Sequence, residues 1–186
     1  MALRKASAYS KRPNRPYTRK SSKRTKSYIK TVPPQKINKF KMGDISGYQK
    51  GRFKFNVLLS SGEKVMIRDN ALESSRQFVH KILETTLQGQ YYFEVSVVPH
   101  HILRENKMLT GAGADRMQTG MSQSYGVTAG RAAIVQANQK ILLVAVNDEK
   151  AWRITLGAYQ KIKAKLPCRV RTSIVKTDLN SSNTQN

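Results

Sequence analysis

The first 41 residues contain fourteen lysines and arginines and not one acidic residue. A segment so charged repels itself and has too few apolar side chains to build a core, so it cannot fold alone. Pro13, Pro16, Pro33 and Pro34 favour extended backbone over helix. The pattern predicts an arm over residues 1–41 that is ordered only against a polyanion. Fully extended, such an arm would reach on the order of 130 Å. Tyr17 and Tyr28 lie among the charges, where aromatic rings can stack on bases while cations neutralise phosphates. Arg4, Lys5, Arg12, Arg15, Arg19, Lys20, Arg24 and Lys30 are the candidate phosphate contacts, with Tyr17 as the stacking candidate. A solubilising or nuclear-import tail is the competing reading, but neither role asks for interleaved tyrosine and proline.

The remaining charge is uneven. Of the net +23 on 186 residues, positions 42–110 carry nine basic and seven acidic residues, and positions 131–186 carry ten and three. Between them, in 111–130, Asp115 and Arg116 cancel. A polyanion is the natural partner, and nucleic acid is the commonest one. No 18-residue apolar stretch is present to span a bilayer. The basic N-terminus is not followed by the apolar run of a secretory signal. Cys168, a lone cysteine, cannot form an internal disulfide, so the chain reads as cytosolic.

The length suits one domain plus an extension. Residues 52–60 alternate Phe53, Phe55 and Val57 and read as a strand; Ser61-Gly62 reads as a turn and 63–68 as its hairpin partner. Asn70 and Glu73 resemble a capping box, with Asp69 a competing cap. Residues 70–87 place Leu72, Phe78, Val79, Ile82, Leu83 and Leu87 on one helical face, and Gly89 ends that helix. A strand over 90–98 stops at Pro99. Strands over 131–136 and 140–147 flank a turn near Asn138. Asp148 is expected to cap a helix over about 149–165 whose inner face holds Trp152, Leu156, Tyr159, Ile162 and Leu166. A last strand covers 168–175. The expected fold is α+β, with two helices packed on one side of a mostly antiparallel sheet. A single domain over 42–175 would carry an inserted loop at about 102–130, followed by a polar tail at 176–186.

That loop holds TGAGADRMQTG at 110–120, glycine-rich but without the Gly-Lys-Ser/Thr of a phosphate loop or the spacing of a dinucleotide fingerprint. Its length suits a shaped, functional loop. His100 and His101 should point to opposite sides of extended backbone. No further His or Cys stands at metal-ligand spacing, so they read as structural or RNA-contacting groups rather than a zinc site. With them, Arg104, Asn106, Lys107, Arg116 and Gln118 are the candidates around the loop. Lys161, Lys163, Lys165, Arg169 and Arg171 form a second basic cluster, its lysines at a helix end where the dipole favours cations. Cys168 and Trp152 read as packing residues. No cofactor site is expected.

VPHHILRENKMLTGAGADRMQTGM at 98–121 resembles the signature of a large-subunit ribosomal protein family, the archaeal and eukaryotic "L ten-e" proteins, counterpart of bacterial "L sixteen". RPYTRK at 15–20, NALESSRQFVHK at 70–81 and KLPCRV at 165–170 look like its archaeal members. The resemblance implies an α+β domain docked on large-subunit ribosomal RNA beside neighbouring ribosomal proteins, in the cytoplasm and away from membranes. It also implies that the inserted loop approaches the peptidyl-transferase region and the A-site transfer RNA, in a structural rather than catalytic role. After Met121 the sequence departs from the family pattern: Ser122 and Val127 stand where Arg and Lys are usual. Two phosphate contacts are therefore expected to be missing or relocated, Arg131 being the candidate replacement. An RNA-modifying enzyme and a membrane-surface module are the alternative classes. The first lacks any visible nucleophile, base pair or cofactor motif, and the second would require liposomes to outcompete RNA.

Overall fold

The computed structural model describes residue 29 and residues 31–105 and 127–177. In chain order its elements are β1 (Lys41–Gly43), α1 (Ile45–Gln49), β2 (Phe55–Ser61), β3 (Val65–Arg68), α2 (Asp69–Leu87), β4 (Tyr92–Val95), β5 (His101–Glu105), β6 (Val127–Val135), β7 (Lys140–Val146), α3 (Glu149–Ile162) with a 3-10 turn at Lys163–Lys165, and β8 (Val170–Lys176). The strands form two antiparallel sheets, one ordered β1-β4-β7-β2-β8 and one ordered β3-β6-β5.

The sequence of β7, KILLVAV, has no polar residue after its lysine, and every one of those six positions is buried. A strand apolar on both faces belongs at the centre of a covered sheet. On one face Leu142, Val144 and Val146 join Val57, Leu59, Phe93 and Val95 beneath Leu72, Val79 and Leu83 of α2 and Ala158, Tyr159 and Ile162 of α3. Val65, Ile67, Ala133 and Val135 bring one face of the smaller sheet into the same core. On the other face of the large sheet, Leu143 and Ala145 pack with Phe53 and Tyr92 and are covered by Tyr48 of α1. The two long helices thus lie on one side of the large sheet, as the helical periodicity of 70–87 and 149–165 predicts.

The predicted hairpin between 52–60 and 63–68 does not form. β2 pairs with β7 on one side and β8 on the other, so neither edge is free for β3, which pairs with β6 instead. Likewise β6 and β7 meet at a turn where Asn138 has φ 62°, but they enter different sheets. The two halves of the chain interleave: β4 pairs with β7, and β8 with β2. The chain entering β4 comes so close to β1 that a Cβ on Gly43 (φ 82°) would collide with the Tyr91 carbonyl oxygen.

The capping box is also absent. α2 starts one residue early, and the Glu73 carboxylate turns sideways instead, accepting from Arg76 Nε and Nη2 at 2.8 and 2.6 Å and from Gln77 Nε2 at 2.9 Å. Arg76 holds the Glu73 carboxyl below its ordinary range. Asp148 stands at the N-cap of α3 but makes no side-chain cap bond. Trp152 and Leu156 pack half-buried at the core margin rather than inside it.

The arm and domain do not part at residue 41. Ile37 is buried, Phe40 packs against the core, and the Phe40 carbonyl accepts from Val95 N–H at 2.8 Å. The predicted loop is also shorter at both ends. Ile102 pairs with Arg131, Leu103 with Gly130, Arg104 with Thr128 and Glu105 with Val127, so 102–105 and 127–130 are a two-stranded stem. Residues 106–126, including the whole glycine-rich motif at 110–120, lie outside the described residues, as does the tail from 178.

Candidate nucleic-acid interface

Among the described residues β8 is the outermost strand of the large sheet, bonded to β2 alone, and every residue of the strand after Val170 is exposed. Three chain segments meet at its start. Gly62 N–H donates to the Arg169 carbonyl at 2.7 Å, Arg169 N–H donates to Glu63 Oε1 at 3.2 Å, and Asn138 N–H donates to the Ser61 carbonyl at 2.7 Å. This knot of turns fixes the backbone of Arg169 while its side chain stays exposed. Arg171 Nη1 reaches Asn138 Oδ1 at 3.5 Å, a long contact that leaves its charge in solvent.

The lysines arrive from the other direction. The last turn of α3 carries Lys161 and passes into the 3-10 turn with Lys163 and Lys165, all three exposed. Lys165 lies along α2, its Nζ 3.4 Å from the Ser74 carbonyl and 4.9 Å from the centre of the Phe78 ring. Leu166 is buried and anchors the crossing to β8. The segment between is short, so Lys163, Lys165, Arg169 and Arg171 are carried on one continuous stretch from the helix end to the sheet edge. Cations at a helix C-terminus are stabilised by its dipole, and among the described residues the one carboxylate bonded to the stretch is that of Glu63. Cys168, on the same stretch, is half-buried, and burial pushes its thiol up.

Other sequence-selected residues sit differently. His100 is exposed, with Nδ1 3.2 Å from the Val98 carbonyl oxygen. His101, opposite Ala132, is turned inward and 1% exposed. Burial first, and the neighbouring His100 second, hold its imidazole below the ordinary histidine value. The adjacent histidines do point apart: His100 is exposed and His101 is buried. Arg104 is half-buried. Arg131 is half-buried and bonded within the chain: its Nε donates to the Pro33 carbonyl at 2.7 Å and its Nη1 to Gln35 Oε1 at 3.3 Å. It fastens the root of the arm to β6, the strand that leads out of the inserted segment. No signal in the sequence marks this, because the partners are 98 and 96 residues apart. Arg4, Lys5, Arg12, Arg15, Tyr17, Arg19, Lys20, Arg24, Lys30, Asn106, Lys107, Arg116 and Gln118 lie outside the described residues.

Among the described residues no group of three or more His, Cys, Asp or Glu is placed to hold a metal ion, and no helix is long and apolar enough to cross a membrane. What the fold builds is a cationic edge and two anchored exits, one for the arm and one for the insertion. A family model described as ribosomal protein L16p/L10e matches residues 13–173, which includes most of the arm and all of the insertion. The chain belongs to the ribosomal protein L16p/L10e family. Among its relatives, the large ribosomal subunit protein uL16 of Hyperthermus butylicus is 42% identical over 188 residues, covering 96% of this chain and 97% of the relative. The proteins of that name from Caldivirga maquilingensis and Methanococcus maripaludis are 39% and 40% identical, each over 95% of this chain. This L16p/L10e chain therefore has the α+β fold and the family expected from 98–121, with its insertion carried on a paired stem.

Proposed function

We propose that this protein is a structural constituent of the large ribosomal subunit in the cytoplasm, binding large-subunit ribosomal RNA and helping to position A-site transfer RNA. Its named relatives are large ribosomal subunit proteins, which supports the placement. The observation that carries RNA binding is the exposed stretch Lys163, Lys165, Arg169 and Arg171, which runs from the end of α3 into the edge strand β8. Such cations displace counterions from phosphates without reading sequence, and the fold fixes where they do so.

The arm extends this neutralisation. Its root is held by Ile37, Phe40 and the Arg131 bonds, so its free part leaves the domain from a defined point. The insertion acts by a different principle. Asp115 and Arg116 cancel over 111–130, so its contribution comes from backbone shape, with His100 and Lys107 near its base supplying donors. The protein positions RNA and neighbouring ribosomal proteins and performs no bond chemistry of its own. Sedimentation of a tagged chain through a sucrose gradient tests this reading. Comigration with large subunits in high salt is expected; a chain that stays at the top of the gradient beside intact, full subunits contradicts it.

A further inference from the structure

On the face of the large sheet away from α2 and α3, a cavity of about 410 Å³ opens between α1 and strands β1 and β4. That volume falls within the range of about 300–1,000 Å³ in which small-molecule sites lie. Tyr48 stacks on Tyr92 with ring centres 4.0 Å apart and planes 8° from parallel. Tyr92 is 1% exposed and Tyr48 half-buried, so Tyr48 is the outer ring of the pair. Both rings line the cavity, together with Phe53. The short helix is shaped to present Tyr48: Gly47 N–H donates to Asp44 Oδ1 at 2.8 Å, and a Cβ on Gly47 would collide with the same carboxylate.

The polar groups on the wall are Lys41, Gln49, Asn56, Glu94 and Thr177, besides the tyrosine hydroxyls. Asn56 Nδ2 is held by Thr177 Oγ1 at 2.8 Å, while Asn56 Oδ1 is buried with no hydrogen-bond partner. Glu94 accepts from the Tyr92 hydroxyl at 2.7 Å through Oε2, and a carboxylate has about four lone-pair sites in all, so it can accept more. Lys41, directly opposite Glu94 in the β1–β4 ladder, brings an ammonium to the same wall. Lys50 and Arg52 are exposed beside it in sequence.

We infer that this cavity takes an unstacked guanine base of the bound RNA, stacked on Tyr48 with its N–H edge turned to Glu94. Guanine presents an N1–H and an amino N2–H side by side, which suits the two oxygens of one carboxylate. Adenine and cytosine set an exocyclic amine beside a ring acceptor and uracil has a single imide N–H, so none offers that pair of adjacent donors. A cationic side chain of a neighbouring protein would also suit Tyr48 and Glu94. Lys41 on the wall repels it, yet favours a base that brings its own phosphate. The inference rests on the RNA-binding reading above but uses none of the cationic edge residues.

The test uses the full chain bound to large-subunit ribosomal RNA. Ultraviolet cross-linking with mass spectrometry should join the Tyr48 peptide to a guanosine. In a Tyr48→Ala complex that guanine should become roughly 5-fold or more reactive toward a reagent for the guanine N1/N2 edge, the lower end for losing one base–aromatic stack. Tyr48→Phe keeps the stack and should leave the reactivity unchanged, whereas Glu94→Gln should raise it. Cross-links at Tyr17 or Tyr28 with none at Tyr48, or a nucleotide other than guanosine at Tyr48, would overturn the inference while leaving RNA binding intact. A carboxylate-to-amine cross-link from Glu94 to another ribosomal protein would overturn it in favour of a protein partner. Absence of every cross-link to RNA would instead bring down the RNA-binding reading itself.

Discussion

β7 and β8 are the two neighbours of the same strand, β2, and each has seven residues. One is buried at six of seven positions; the other is exposed at six of seven. Both pair antiparallel with β2, so the difference lies in what else surrounds each strand. β7 has a strand on both sides and helices on both faces, and its sequence is apolar throughout. β8 has a free edge and carries Arg171 and Lys176, the charged decoration that keeps an open edge from pairing with another chain. In this protein the same decoration doubles as the proposed RNA contact. Stability is concentrated on one side of β2 and charge on the other.

Substitutions in the two strands should separate these roles. Leu142→Ala in β7 removes a fully buried side chain and should cost up to about 5 kcal/mol in denaturant unfolding. Ile174→Ala in β8, where the side chain is 40% exposed, should cost less than about 1 kcal/mol. Similar losses at both positions would break the comparison. Beside the core, Arg76→Ala strands the Glu73 carboxylate, whose side chain is 11% exposed, and should cost about 3 kcal/mol. Thermal melting at neutral pH would show it.

A smaller effect depends on pH. The folded imidazole of His101 titrates below its unfolded value of about 6.5, so the unfolded chain binds the extra proton first. Stability from neutral His101 is full above about pH 6.5 and is lost as pH falls from there through the folded value. His101→Leu should flatten that part of the stability–pH curve, and an unchanged curve would place the acid sensitivity elsewhere. The smallest stability effect is expected at the cationic edge: Arg169→Ala with Arg171→Ala should change unfolding by no more than about 0.5 kcal/mol, while weakening RNA binding.

What the sequence shows of this fold follows the range of the interactions involved. α2 is readable to within one residue because its apolar spacing is local. Most strand positions are readable too, β1 and β5 excepted, but pairing is not: whether 63–68 joins β2 depends on β7 and β8, which arrive much later in the chain. β1 and α1 carry too few residues for periodicity, so Tyr48 and its cavity give no signal. Glu73 looks like half of a capping box until Arg76 claims it. In the candidate interface, the cluster at 161–171 is legible because its charges are close in sequence. Arg131 and His101 are not, since adjacent or isolated polar residues look alike until burial and distant partners such as Pro33 are fixed.

The central claim is that charge on the arm and the β8 edge binds RNA without setting the fold's stability. The slope of log affinity for large-subunit ribosomal RNA against log salt concentration tests it most directly, compared between the full chain and one lacking residues 1–30, which carry eleven of its lysines and arginines. The expected result is a shallower slope and weaker binding for the shortened chain, at an unchanged melting temperature. An unchanged slope, or a lost fold, would contradict the claim.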